Sequence, residues 1–175
     1  MTHRVIEIYT NGAGIEYPSL FDKGGYGVVC PFNRDLDFRA FDTEGDQSRK
    51  CYELEGVKKA LLIAKEIEGP AHVKIYTISW FPIGALTIWL DKWRSNGWIS
   101  NVGNRIKNRA LIEETAALKN SMHQYGKTVE FVHLEQSNLF TEEAERLAKL
   151  ALQENDLLSQ QMKKCKSLLD SYRKK

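Results

Sequence analysis

The chain reads as an α/β domain, a mixed sheet with helices on both faces, and three observations lead there. The first is order. Period-two apolar segments come first, and helical-period segments then alternate with further strands. The second is the opening stretch 5–14, VIEIYTNGAG, which alternates β-branched or aromatic residues with polar ones and ends in Thr-Asn-Gly. The third is an amphipathic segment lying between two strand-like runs. Its length suits a right-handed crossover joining parallel strands.

Taken in order, the first strand runs into a tight turn that leaves Asn11 where the chain departs the sheet. A second turn signal, Gly24-Gly25-Tyr26-Gly27, precedes the apolar Val28-Val29-Cys30, which predicts a hairpin. A third strand is expected near 36–41. Helical spacing begins near Ser48, with Leu54, Val57, Leu61 and Ala64 on one stripe, and Gly69-Pro70 ends it. Residues 73–78 form a short apolar strand, expected to be central and parallel to the first. A helix is predicted over 83–93, with Pro82 suited to its first turn and Ser95-Asn96-Gly97 breaking it. A basic, irregular segment covers 98–107. An amphipathic helix follows over 108–125, closed by Gly126, and then a strand over 129–133. Thr141 is a good N-cap for the last helix, with Glu142 and Glu143 in its first turn. No Gly or Pro interrupts the chain from there to Lys175.

At 175 residues the chain fits one domain with a sizeable core. The net charge is only +2, so global charge gives no argument for nucleic acid, and any such argument must come from distribution. Cys30, Cys51 and Cys165 are an odd and scattered set, which argues against a disulfide framework or a zinc site. The first residues show no apolar h-region, and no run approaches membrane-spanning length. The expectation is a cytoplasmic protein, nucleus or organelle left open, with no membrane partner.

Thr-Asn-Gly-Ala followed by GGYGVV resembles the opening of the type 1 ribonuclease H family, which begins Thr-Asp-Gly-Ser and then GGYG. The similarity extends over about 5–152. Cys51-Tyr52-Glu53-Leu54 matches the family's Arg-Met-Glu-Leu, and Tyr76-Thr77-Ile78-Ser79 matches Ser-Thr-Asp-Ser. Ile88-Trp89 through Lys92-Trp93 to Gly97-Trp98 resembles a tryptophan-bearing helix and basic handle, with Lys107-Asn108 after it. Phe131-Val132 resembles the last strand's Trp-Val, and Arg146-Leu147-Ala148 sets Glu145 at the fourth acidic position. Glu135 falls at the place of the family's loop histidine, two residues past His133.

The resemblance implies a five-stranded ribonuclease H-like mixed sheet flanked by helices, with a C-terminal helical extension. It also implies an activity, cleavage of the RNA strand of RNA–DNA hybrids. In that chemistry two Mg²⁺ ions about 4 Å apart clamp the attacking water and the leaving oxygen. Four carboxylates balance the charge and supply hard oxygen ligands. At the matching positions this sequence has Asn11, Glu53, Ile78 and Glu145. Asn11 is neutral and Ile78 offers no ligand atom. Glu53 and Glu145 remain as metal ligands, enough for one weakly held Mg or Mn and not for a pair. The expectation is therefore a catalytically degenerate module that requires no cofactor and binds nucleic acid or tethers a larger assembly. The alternative is a ribonuclease H weakened by altered ligands or inactivated by engineering, with Glu135 as a further participant.

The resemblance assigns nucleic-acid contacts to the handle. Lys92, Arg94, Arg105, Lys107 and Arg109 carry positive charge, with Trp89, Trp93 and Trp98 interleaved and Asn108 adjacent. Trp89 and Trp93, four apart on a helix, also suit a core. Where the family has paired asparagines that read the hybrid, this chain has Arg49 and Lys50, which add charge and lose the amides suited to ribose hydroxyls. His123 and His133 read as structural.

Leu158, Met162, Cys165, Leu169 and Tyr172 step by four, three, four and three, a heptad-like stripe among Lys163, Lys164, Lys166, Arg173, Lys174 and Lys175. The expected division is a domain over 1–155 and a basic helical extension over 156–175. The extension either folds back on the domain or docks a protein partner or second copy; its lysines also allow an acidic partner or nucleic acid.

Overall fold

A computed structural model describes residues 4–15, 23–42 and 49–173, without the side chains of 14–15, 23, 42 and 167–173. Five strands form one sheet: β1 (Val5–Ile15), β2 (Lys23–Val29), β3 (Phe38–Asp42), β4 (Ala71–Thr77) and β5 (Lys127–His133). Their order is β3-β2-β1-β4-β5. β2 runs antiparallel to both its neighbours, β1 and β3, and β4 and β5 run parallel to β1 and to each other. The expected mixed five-stranded α/β sheet is the one the chain adopts. Ser48, where helical spacing begins, the acidic Glu44-Gly45-Asp46 and the last two lysines lie outside the described residues.

Side-chain alternation sorts the sheet into two layers. Ile6, Ile8, Val28, Val73 and Ile75 face one side. There they meet α1 (Arg49–Glu66) through Leu54, Val57, Leu61 and Ala64, the stripe the helical spacing predicts. α2 (Trp80–Thr87), α3 (Leu90–Ser95) and α4 (Arg109–Ser121) complete this core with Leu86, Trp93, Ile112 and Ala116. Tyr9, Val29 and Tyr76 face the other side, under α5 (Leu139–Arg173), whose Ala144, Leu147 and Phe140 cover them. The Tyr9 and Tyr76 rings stack at 4.5 Å.

Four expectations change. β1 does not turn at Asn11: it continues to Ile15, pairs Asn11 with Gly27, and leaves Asn11 only 1% exposed. Gly24 to Gly27 are strand, not turn. Their lack of side chains serves a close approach, because a Cβ at Gly27 would run into the carbonyl oxygen of Ala144, and one at Gly25 would stand 2.8 Å from that of Ala148. The helix over 83–93 divides in two at Ile88-Trp89. The Ile88 and Trp89 amides both donate to Gly84 O, at 3.0 and 2.8 Å, and the Trp89 ring folds over Gly84. Thr141 is not the N-cap of α5. Asn138 is, its Oδ1 accepting from the Phe140 and Thr141 amides at 3.1 and 2.9 Å.

Beyond Asn155, α5 continues as one helix through the boundary expected at 155. The face buried as Ala144, Ala148, Ala151 and Asn155 carries on as Leu158 and Met162, which are 55% and 73% exposed, and Cys165, also exposed. The side chains of Leu169, Tyr172 and Arg173 lie outside the described residues.

Candidate functional site

Four elements converge beside the middle of β1. Asn11 Oδ1 accepts from the Gly12 amide at 2.9 Å, and its Nδ2 donates to Thr141 O in the first turn of α5 at 3.5 Å. The β1–β4 register ends with Thr10 paired to Thr77, so the strand expected over 73–78 stops one residue short and Ile78 follows its end in a bend. Glu53, on the second turn of α1, lies against β1: a Cβ at Gly12 would be 2.8 Å from its amide nitrogen and 3.1 Å from its Cγ. Ala144 packs on Gly27, the residue paired with Asn11, and Glu145 follows it. The fold thus brings Glu53 against the strand residue next to Asn11 and bonds it to Ser79, the neighbour of Ile78, with Glu145 on α5.

The chemistry of this cluster follows from what its atoms already hold. Glu53 is 7% exposed, and both its oxygens are engaged. Oε1 accepts from Arg49 Nε at 3.1 Å, and Oε2 accepts from Ser79 Oγ at 2.5 Å. Burying a carboxylate without such partners is costly. Ile78 is half-buried and has no donor atom. Glu145 Oε1 pairs with Lys149 at 2.7 Å. Among the described residues no group of three or more His, Cys, Asp or Glu side chains is placed to hold a metal ion. Two divalent ions carry four positive charges, and neither Asn11 nor Ile78 brings a negative charge to offset them.

Glu135 is exposed, two residues past the end of β5. His133 packs its ring edge-on to Trp80 at 5.3 Å, and His123 Nδ1 lies 2.6 Å from Asn120 O.

A cleft of about 670 Å³ opens next to the cluster, at the start of α1. Phe81, Trp89, Trp93 and Ile106 supply its apolar wall, and Arg49, Lys50, Arg105 and Lys107 its cations, with Ser100 and Asn108 between. Lys50 Nζ sits 5.4 Å from the Phe81 ring centroid. Trp89, Trp93 and Trp98 pack in series with their rings tilted, centroids 5.5 and 6.1 Å apart. Trp98 is 5% exposed and outside the cleft lining. It cannot stack on a base, and it props Arg109, whose guanidinium lies 5.1 Å from its ring. Trp93, 9% exposed, is core with one edge on the cleft. Lys92 bonds Asn101 Oδ1 at 2.7 Å, and Arg94 lies 3.9 Å from Asp91; neither lines the cleft. Asn108 adopts φ 58, the left-handed conformation asparagine tolerates, and so turns the handle into α4.

The sequence gives no role to Ser79, although it follows Ile78 directly. The Arg49–Glu53 pair had a legible signal, the i,i+4 spacing on one helix.

A sheet of order β3-β2-β1-β4-β5 with this helix arrangement defines a ribonuclease H-like domain. The family model described as RNase H matches residues 3–153, and the chain belongs to the ribonuclease H family. Ribonuclease H of Francisella tularensis subsp. novicida is 30% identical over 152 residues, 87% of this chain and 93% of the relative. Ribonuclease H of Rickettsia bellii is 31% identical over 106 residues, covering 61% of this chain and 64% of its own. Among solved structures, a foamy viral protease-reverse transcriptase in complex with dsDNA superposes with a TM-score of 0.62 at 21% identity, covering 83% of this chain and 92% of that one. LC9-RNase H1, a type 1 RNase H with the type 2 active-site motif, gives 0.61 at 20% identity over 86% and 73%. These structural likenesses establish the fold.

Proposed function

We propose that this chain is a ribonuclease H-family module that binds nucleic-acid duplexes, RNA–DNA hybrid among them, and does not cleave them by paired metal ions. The observation that carries the reading is Glu53, a lone buried carboxylate with one oxygen on Arg49 and the other on Ser79. A divalent ion would have to displace both partners, and at 11 and 78 it would find a neutral amide and an aliphatic side chain. The cleft supports the binding half. Its four cations meet phosphates, and its aromatic wall stiffens the surface that presents them. The relatives named Ribonuclease H support a nucleic acid as the ligand.

The test uses a fluorescein-labelled RNA–DNA hybrid. We expect binding, seen as anisotropy, that weakens steeply with salt, and no cleavage in Mg²⁺ or Mn²⁺. Arg105→Glu with Lys107→Glu should abolish binding. Mn²⁺-dependent cutting that vanishes in Glu53→Gln would instead establish an enzyme with altered ligands. The exposed stripe of Leu158, Met162 and Cys165 supports a protein contact as the tethering part of the same reading.

A further inference from the structure

In an unmodified two-metal site the cations are borrowed from solution. Here a cation is already built in. Arg49 is the first residue of α1 and contacts Glu53 through Nε alone. Its side chain remains 64% exposed and lines the cleft. Its two Nη groups bond to no other described residue. A guanidinium is a planar fork, so one edge can hold a carboxylate while the other meets a second anion. Lys50 is the next residue, with its ammonium held over Phe81 on the cleft wall.

We propose that Arg49 is the resident counter-ion of this site: it neutralises Glu53 and offers its Nη edge to a backbone phosphate in the cleft, so that duplex binding needs no divalent ion. This rests on the reading of the cleft given above and extends it. The charge balance supports it. Glu53 and Arg49 cancel, which removes the repulsion a bare buried carboxylate would exert on a phosphate. Among the described residues, Lys50 and Ser79 beside this pair are cationic and neutral. Arg49 and Lys50 recognise phosphate charge, common to both duplex types, and not the ribose hydroxyl. An RNA–DNA hybrid and a DNA duplex of the same sequence should therefore bind alike at this end.

The experiment measures anisotropy of the full chain with both labelled duplexes, in Mg²⁺ and in EDTA at constant ionic strength, over a salt series. We expect equal affinity in Mg²⁺ and EDTA. Arg49→Gln should raise Kd about tenfold and reduce the slope of log Kd against log salt by about one. Arg49→Lys should keep the slope while binding less tightly. Glu53→Gln, which keeps the volume and frees the guanidinium, should bind as tightly as the parent or more so. Loss of parent binding in EDTA, or weaker binding by Glu53→Gln, would overturn the proposal. So would an Arg49→Gln protein with unchanged Kd and slope; if Arg105→Glu with Lys107→Glu then still loses binding, the cleft reading stands without it. No parent binding to either duplex overturns both.

Discussion

At the scale of single residues, burial and pairing decide what each polar group can do. Asn11 and Glu53 are both buried, yet neither is left wanting a partner. Thr10 is different: fully buried, its Oγ1 has no hydrogen-bond partner among the described residues. An orphaned buried hydroxyl is unfavourable, and valine has nearly the same shape. Thr10→Val should stabilise the fold by about 1 kcal/mol, read as a rise in denaturation midpoint. The thiols separate in the same way. Burial pushes the Cys30 thiol up to about 12, with Asp37 adding to the shift, so the reactive thiolate is scarce at neutral pH. Cys165 is exposed. Thiol titration of the folded protein at pH 8 should show Cys165 reacting fast and Cys30 only after unfolding. At the cation site, Asn11→Asp with Ile78→Asp would set two carboxylates beside Glu53. Like charges so close repel, so the double variant should melt lower than the parent without metal and recover with Mn²⁺, whereas Mn²⁺ should leave the parent's melting temperature unmoved.

Among elements, α5 is placed by what it lies on. Gly25 and Gly27 remove side chains from β2, so the Ala144 and Ala148 turns can sit directly on the strand. Gly27→Ala would set a methyl into a backbone carbonyl and should destabilise by about 3 kcal/mol, measured by urea denaturation. The start of α5 depends on Asn138, which satisfies two otherwise free amides. Asn138→Ala should lower stability by about 1 kcal/mol in the same measurement. Both features show where sequence reading succeeds and stops. The stripe of Leu54, Val57, Leu61 and Ala64 was legible because helical period records burial directly. The glycines of β2 carry the same signature in a turn as under a helix, since either use requires a missing side chain. Thr141 and Asn138 are both good caps, and only the hydrogen bonds separate them. The break at Trp89 arises from a ring folding onto Gly84, a contact no local pattern records.

For the whole molecule, the cleft lies where α1, α2 and the handle before α4 meet, so cations from distant parts of the chain act together. α5 reaches past the domain edge, and its buried face continues as an exposed stripe. A chain ending at Asn155 should keep its melting temperature and its duplex affinity, because no described side chain from Leu157 to Lys166 is buried. Any self-association seen by size measurement should be lost with the removed segment.

The sequence alone determined the fold class, the strand order's raw material and the neutral residues at 11 and 78. Side-chain period and residue chemistry are local properties, written in the chain itself. Only the tertiary structure decided that Arg49 and Ser79 occupy both oxygens of Glu53, that Asn11 is buried against α5, and that Trp98 is core while Trp89 borders the cleft. Those are contacts between segments far apart in sequence, except for the Arg49–Glu53 pair. Even there, spacing permits the contact, and only packing fixes which atoms it uses.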